Sequence, residues 1–227
     1  MIFNRFINMI GEERFNLLKT KSIIVFGLGG VGSYAAEVLV RSGIHNLTVV
    51  DYDMVDITNI NRQLIALQST LGMKKVDVFC ARAKDINPEI IIKALHIKVT
   101  EENIKDFFNE KYDYVIDCVD DIIAKVEIAK FCLDNKINLI SSMGFANKSH
   151  PEQIKIAKLN QTKVCPLARS FRKKIKELGY PLDFKVVYSE EKPSEVIDRK
   201  ILGSNAYCPS AAGIILASEV INHLLKG

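Results

Sequence analysis

An α/β fold, a mainly parallel sheet with helices on both faces, is what this chain predicts. Three observations carry it. Apolar runs of strand length alternate with helix-length segments between residues 22 and 142, the pattern left by crossover connections in a parallel sheet. The first apolar run, Ile23-Ile24-Val25-Phe26, ends in the closely spaced Gly27, Gly29, Gly30 and Gly32 before Tyr34-Ala35-Ala36-Glu37-Val38-Leu39-Val40, which reads as strand, tight turn and helix. The length of 227 residues suffices for one well-buried domain and hardly for two large ones.

The elements follow in order. After the strand at 22–26 comes a helix over 30–42, whose opening N–H groups are free to meet an anion. Leu47-Thr48-Val49-Val50 makes a strand over 46–50 that ends on Asp51, where a ribose hydroxyl would sit. A helix over about 73–86, a strand over 90–97, a helix over 101–108 and a strand over 114–118 continue the alternation. A helix over 121–135 and a strand over 138–142 close it. Carboxyl ends of such strands rim the ligand crevice, so Gly27, Asp51, Asp117 and Ser141 are expected on one rim, Asp117 there as a helix cap or structural acceptor.

Beyond Met143 the alternation breaks. Residues 150–160 read as extended and 161–164 as a loop, and Pro166 suits the first turn of a helix. That helix carries Leu167, Phe171, Ile175 and Leu178 on one face and Arg169, Arg172, Lys173 and Lys176 on the other; Gly179 and Pro181 stop it. Phe184–Tyr188 reads as a strand, a polar loop expected to be mobile runs through Arg199, and a last helix covers about Pro209–Leu225. The expected whole is a single domain. It has a Rossmann-like nucleotide-binding core over 1–145, a substrate-binding extension over 146–205 and a C-terminal segment, 206–227, packing on the core.

Composition narrows the class. No apolar run reaches membrane-spanning length, and the first residues lack a signal-peptide core, so a cytoplasmic location is expected. Five cysteines form no Cys-x-x-Cys pair and four histidines are scattered, which supports neither a structural zinc site nor a disulfide framework. Cys165 and Cys208 each precede a proline near a helix start, but no base stands beside them, so both read as small buried residues. The net charge of +4 conceals an asymmetry: residues 148–185 hold ten Lys or Arg against three acids, leaving the remainder at −3. A basic segment on a mildly acidic body suits a polyanionic partner, or simply a solvated face.

Glycines followed by an acid point first to a dinucleotide. The segment from Asp51 through Asp53, Asn59 and Arg62 to Gln63 points elsewhere, because hydride transfer needs little beyond one ribose acid. An enzyme that splits ATP at the α-phosphate needs cations for the departing pyrophosphate and an acid for Mg²⁺. Arg62 and Lys75 suit the first task and Asp120 the second, while Asn59 suits ribose or phosphate.

These elements, Gly-x-Gly-Gly-Val-Gly-Ser, Asp51-x-Asp53, Asn59-x-x-Arg62-Gln63, Lys75 and Asp117-Cys-Val-Asp120, occur in that order and resemble the ThiF/MoeB/HesA superfamily of adenylating enzymes. The resemblance implies that Asp51 binds ribose, that Arg62 and Lys75 bind phosphates, and that Gly29 and Gly30 pass close to the α-phosphate. It also implies that Asp120 holds Mg²⁺ and leaves a monovalent cation (Na⁺ or K⁺) open. Arg5, in Phe3-Asn4-Arg5, resembles an arginine that relatives insert into the neighbouring subunit's ATP site, which implies a homodimer.

Further blocks resemble the tRNA threonylcarbamoyladenosine dehydratases: Ser142-Met143-Gly144-x-x-Asn147-Lys148, Pro166-Leu167-Ala168-Arg169, Val187-Tyr188-Ser189-Glu190-Glu191-x-Pro193, Gly203-Ser204 and Pro209-Ser210-Ala211-Ala212-Gly213. The activity implied is ATP-dependent activation of a carboxylate beside the anticodon, after which the neighbouring carbamoyl nitrogen closes a ring and AMP leaves. A carboxylate is a poor electrophile, whereas an acyl-AMP attacked from within its own molecule needs no enzyme nucleophile. The partner implied is tRNA, with Lys148, Arg169, Arg172, Lys173 and Lys176 as candidate phosphate contacts, and a sulfur-transfer protein stays open. Cys165, Phe145, Ala146 and His150 depart from the family pattern, all in the substrate region. The alternatives are an activator of a ubiquitin-like sulfur carrier, a nucleotide-holding adaptor without catalysis, and an NAD-dependent oxidoreductase.

Overall fold

The computed structural model describes residues 2–195, 198 and 201–226. Among these, seven strands form one sheet: β1 (Ser22–Phe26), β2 (Asn46–Val50), β3 (Ile91–Leu95), β4 (Tyr114–Asp117), β5 (Leu139–Ser142), β6 (Ile154–Lys158) and β7 (Lys185–Ser189). The strand order is β3-β2-β1-β4-β5-β7-β6, and only β6 runs antiparallel, against β7. The chain winds outward from β1 through β2 to β3, then returns to place β4 on the other side of β1. This reversal opens a crevice above the carboxyl ends of β1, β2 and β4, the usual ligand position in an open α/β sheet.

Both sheet faces are buried because alternate residues of β1 point to opposite layers. Ile23 and Val25 pack with Leu39 of α3 (Gly32–Arg41), Phe79 of α4 (Lys75–Ile86) and Leu216 of α7 (Tyr207–Leu224). Ile24 and Phe26 pack with Ile128 of α5 (Ile122–Asp134) and Phe171 of α6 (Pro166–Glu177). Side chains alternating with a period of two explain why an unbroken apolar run serves two cores. α7 lies so close to α3 that a Cβ on Gly213 would stand 2.3 Å from the Val31 carbonyl oxygen. No described helix is long and apolar enough to cross a membrane.

Several expectations change in the structure. Residues before β1 form two helices that the sequence pattern does not announce, α1 (Asn4–Ile10) and α2 (Glu12–Lys19). α1 buries no residue and α2 only Phe15 and Leu18, so neither writes a continuous apolar stripe. The helix expected over 101–108 is a 3₁₀ segment, Ile104–Phe108. The Asn103 side chain accepts from the Thr100 N–H at 2.8 Å and donates to the Lys98 carbonyl at 2.8 Å, holding the preceding residues in a turn that competes with helix. Leu178 is exposed because α6 ends at Glu177. The segment 146–205 adds β6, α6 and β7 to the same sheet and core. Part of the loop expected through Arg199 lies outside the described residues.

Candidate active site

The Gly27 backbone sits at φ +87°, and a Cβ there would stand 2.9 Å from the Cys118 carbonyl carbon and oxygen. Only glycine turns the chain so sharply across the end of β4. The turn is fastened to β2: the Gly27 N–H donates to the Val50 carbonyl at 2.7 Å, and the Leu28 N–H donates to Asp51 Oδ2 at 2.6 Å. Gly27, Gly29 and Gly30 line the crevice. Gly32 does not. It is buried at the start of α3, where a Cβ would collide with the Gly27 carbonyl oxygen, so close packing by itself requires glycine there.

Asp51 is buried at the crevice floor, and its Oδ1 accepts from the Asp53 N–H at 2.8 Å. Burial pushes its carboxyl upward, against the pull of Lys75 and the two N–H donors. Each carboxylate oxygen retains lone-pair capacity for a second donor. Residues 53–55 pair with 72–75 through backbone hydrogen bonds and an antiparallel bridge at Met54 and Lys74. That pairing aims Lys75 at the crevice, where its nearly buried ammonium meets Asp53 at 2.7 Å. Asn59 is buried and lines the crevice, its Oδ1 accepting from the Asp56 N–H at 3.1 Å. Arg62 Nη1 donates to the Thr58 carbonyl at 2.6 Å and to Asn61 Oδ1 at 2.9 Å, so the guanidinium is oriented before any ligand arrives.

Asp120 lines the crevice, exposed and without an ion pair or hydrogen bond to any described residue. The neighbouring Asp121 has a different task, accepting from the Ile123 and Ala124 N–H groups at the start of α5. Tyr52 stands among the acids: Asp53 first, then burial, Asp120, Asp121 and Asp51 push its phenol upward. This collection of negative charge suits a cation. Mg²⁺ typically takes one or two carboxylates and completes its shell with water and substrate phosphates, so a single free carboxylate beside the glycine turn, Arg62 and Lys75 fits it.

Asp117 and Ser141, expected on the rim, lie fully buried beneath it. Asp117 pairs with the equally buried Lys125 at 2.7 Å, and Lys125 also donates to the Ser142 carbonyl at 3.0 Å. The rim itself is made by Cys118–Asp121 and Ser142–Gly144. One residue step decides this, because a side chain on the last pair of a buried strand points into a core layer.

Gln63 is the member that sequence reasoning left without a role. It is buried on the crevice wall, and its Oε1 has no hydrogen-bond partner among the described residues. A buried carbonyl oxygen left unpaired is costly, so the site presents an acceptor for a ligand or its water. Its position directly after Arg62 was the available signal.

The crevice has a volume of about 590 Å³ and continues past the glycine turn along Met143–Lys148, Cys165–Leu167 and Leu202–Ser204. Lys148, expected to meet tRNA, is buried and donates to the Ser189 and Glu191 carbonyls at 3.0 Å each. Burial pushes its ammonium downward, and its hydrogen bonds are structural. Arg172 likewise turns inward, to the Thr162 carbonyl at 2.8 Å and the Thr162 hydroxyl. Arg169, Lys173 and Lys176 are exposed on α6. Cys165 and Cys208 are buried. Arg5 is exposed and does not line the crevice of its own chain.

The model of the ThiF family matches residues 3–227. A tRNA threonylcarbamoyladenosine dehydratase of Bacillus subtilis (strain 168) is 44% identical over 233 residues, covering 96% of this chain and 92% of that protein. The crystal structure of the E. coli tRNA N6-threonylcarbamoyladenosine dehydratase with AMP is similar at a TM-score of 0.95 and 31% identity, covering 99% of this chain and 94% of that one. The same E. coli enzyme with ATP gives a TM-score of 0.93 at 31% identity, covering 99% and 93%.

Proposed function

The chain belongs to the ThiF family and, within it, to the tRNA threonylcarbamoyladenosine dehydratases, and from that premise we propose how its crevice performs the ATP-dependent cyclisation. The observation that carries the reading is continuity: one crevice joins the glycine turn, Arg62, Lys75 and Asp120 to the wall of Met143–Asn147 and Leu167. A nucleotide and a second substrate therefore meet without crossing solvent.

ATP supplies the adenylyl group that makes a carboxylate electrophilic. The N–H groups of the glycine turn hold its α-phosphate region, and Asp51 accepts from ribose hydroxyls. Arg62 and Lys75 stabilise the negative charge that gathers on the departing pyrophosphate. Asp120 would hold Mg²⁺, which would supply further charge neutralisation there. Met143, Phe145 and Leu167 give the wall beyond the phosphates an apolar surface that keeps water from the activated acid. The carbamoyl nitrogen of the same nucleoside closes the ring, so no protein nucleophile is needed.

The exposed cations of α6, Arg169, Lys173 and Lys176, contact tRNA phosphates. Arg5 serves the crevice of a second subunit in a homodimer. Its exposure away from its own crevice supports this, as do the exposed apolar Met54, Ile57, Leu67, Leu71 and Met73, a surface suited to burial against another copy.

The test is direct. tRNA carrying the open threonylcarbamoyl group is incubated with protein, ATP and Mg²⁺, digested, and weighed as nucleosides. Loss of one water from the modified adenosine is expected; an unchanged mass defeats the reading.

A further inference from the structure

Asn147 is one of three described non-glycine residues with positive φ, at +58°, a conformation asparagine tolerates better than most residues. The turn aims its whole peptide unit and side chain at one loop. The Asn147 N–H donates to the Gly203 carbonyl at 2.8 Å, and the Gly203 N–H donates back to Asn147 Oδ1 at 2.7 Å. The Ser194 N–H donates to the Asn147 carbonyl at 2.7 Å. One residue thus binds the chain where it leaves at 194 and where it returns at 203.

The two arms so joined are crevice wall. Pro193, Leu202, Gly203 and Ser204 line it together with Asn147. Neighbouring bonds brace the clasp. Glu191 accepts from the Ser149 and His150 N–H groups at 2.9 Å each, and the Asn205 side chain donates to the Lys148 carbonyl at 2.7 Å. Gly203 is matched to its partner, since a Cβ there would stand 2.7 Å from Asn147 Oδ1. Asn61 donates to the Ser204 carbonyl at 3.1 Å. Arg62 is held by the Thr58 carbonyl as well as by Asn61, so its orientation has one support outside the clasp.

We infer that Asn147 is a positioning residue for the acceptor half of the crevice: its clasp on Gly203 sets the wall that presents the carboxylate of the tRNA nucleoside to the nucleotide. This rests on the reading of the crevice as a carboxylate-adenylating site. Asn147 acts through the loop it fastens and not on the reacting atoms.

The experiment measures steady-state cyclisation of modified tRNA at saturating ATP, with ATP affinity measured separately in the absence of tRNA. Asn147→Gly keeps the positive φ and deletes the accepting oxygen. Gly203→Ala inserts a Cβ that Asn147 avoids by swinging its side chain aside, which opens the same clasp at little cost in fold. Each single variant should raise KM for tRNA about fivefold, the scale of one missing hydrogen bond, with ATP affinity within about twofold of wild type. The double variant should be no worse than either single, because both remove one interaction.

Folded single variants with wild-type KM for tRNA overturn the assignment, as do losses that add in the double variant or an equal loss of ATP affinity. If Asn147→Gly does not fold, Gly203→Ala decides by the same readout. A wild-type protein that leaves tRNA unchanged defeats the parent reading instead. Faster amide exchange at Ser194 and Gly203 in the variants then still decides whether the clasp holds.

Discussion

The ammonium of Lys75, almost wholly buried, meets the half-exposed carboxylate of Asp53 at 2.7 Å. Their backbones are also joined, the Lys75 N–H donating to the Asp53 carbonyl at 3.1 Å. A buried cation needs a counter-charge, and Asp53 supplies it. Lys75→Met should therefore lower ATP-dependent turnover by about 10²–10³-fold, the usual loss when one preorganised charge donor is removed. A thermal melt should remain near wild type, because Asp53 can hydrate. Turnover within a few-fold of wild type would remove Lys75 from the phosphate site.

Two adjacent acids separate function from folding. Asp120 has no partner among the described residues, so Asp120→Ala should leave the melt unchanged and abolish turnover at every Mg²⁺ concentration. Asp121 caps α5, so Asp121→Ala should cost about 1 kcal/mol of stability while activity persists. A fully active Asp120→Ala variant would refute the metal role.

Mixing variants tests Arg5. Dimers co-assembled from Arg5→Ala and Lys75→Met subunits would contain one intact site if Arg5 acts across the interface. Random pairing then restores about a quarter of wild-type activity, although each parent is inactive. No recovery in the mixture would leave Arg5 as an exposed residue of α1 without a part in the site.

The α6 cations make a salt-dependent prediction. Replacing Arg169, Lys173 and Lys176 with alanine should weaken tRNA binding and flatten the log–log salt slope by about 0.7–0.9 for each phosphate no longer neutralised. Arg172→Ala should lower stability by removing its Thr162 bonds and leave the slope unchanged. Binding measured across a salt series checks both.

Glu191 gives the pH dependence. Burial pushes its carboxyl upward, but the N–H groups of Ser149 and His150 and the Ser149 hydroxyl more than offset this and hold it below the ordinary 4.5. A depressed folded-state acid contributes stability that is fully present above 4.5 and is lost as pH falls through the lower folded value. Melts from pH 7 to pH 3 should show that loss, and Glu191→Gln should flatten it. Parallel curves for the two proteins would exclude Glu191 as its source.

The glycine turn, the acid ending β2, Arg62, Lys75 and Asp120 could be read directly because each depends on local rules. Strand ends, turns and helix starts impose residue types within a few positions. The alternating core and its parallel sheet followed from the same short-range periodicity, as did α6. The first two helices did not, since α1 buries nothing and leaves no stripe to read.

What sequence alone determined is the fold class, the nucleotide turn and the chemical inventory of the crevice. Tertiary structure decided which of several equivalent-looking residues face it. Lys148 and Arg169 are both cations in one basic segment, yet Lys148 is buried on two carbonyls and Arg169 is exposed. Asp117 reads from the sequence as a structural acceptor, but its partner, the buried Lys125 eight residues on, is set by packing alone. The clasp of Asn147 on Gly203 spans more than fifty residues of chain. Charge and residue type are properties of a position, whereas burial and partnership arise only when distant segments pack together.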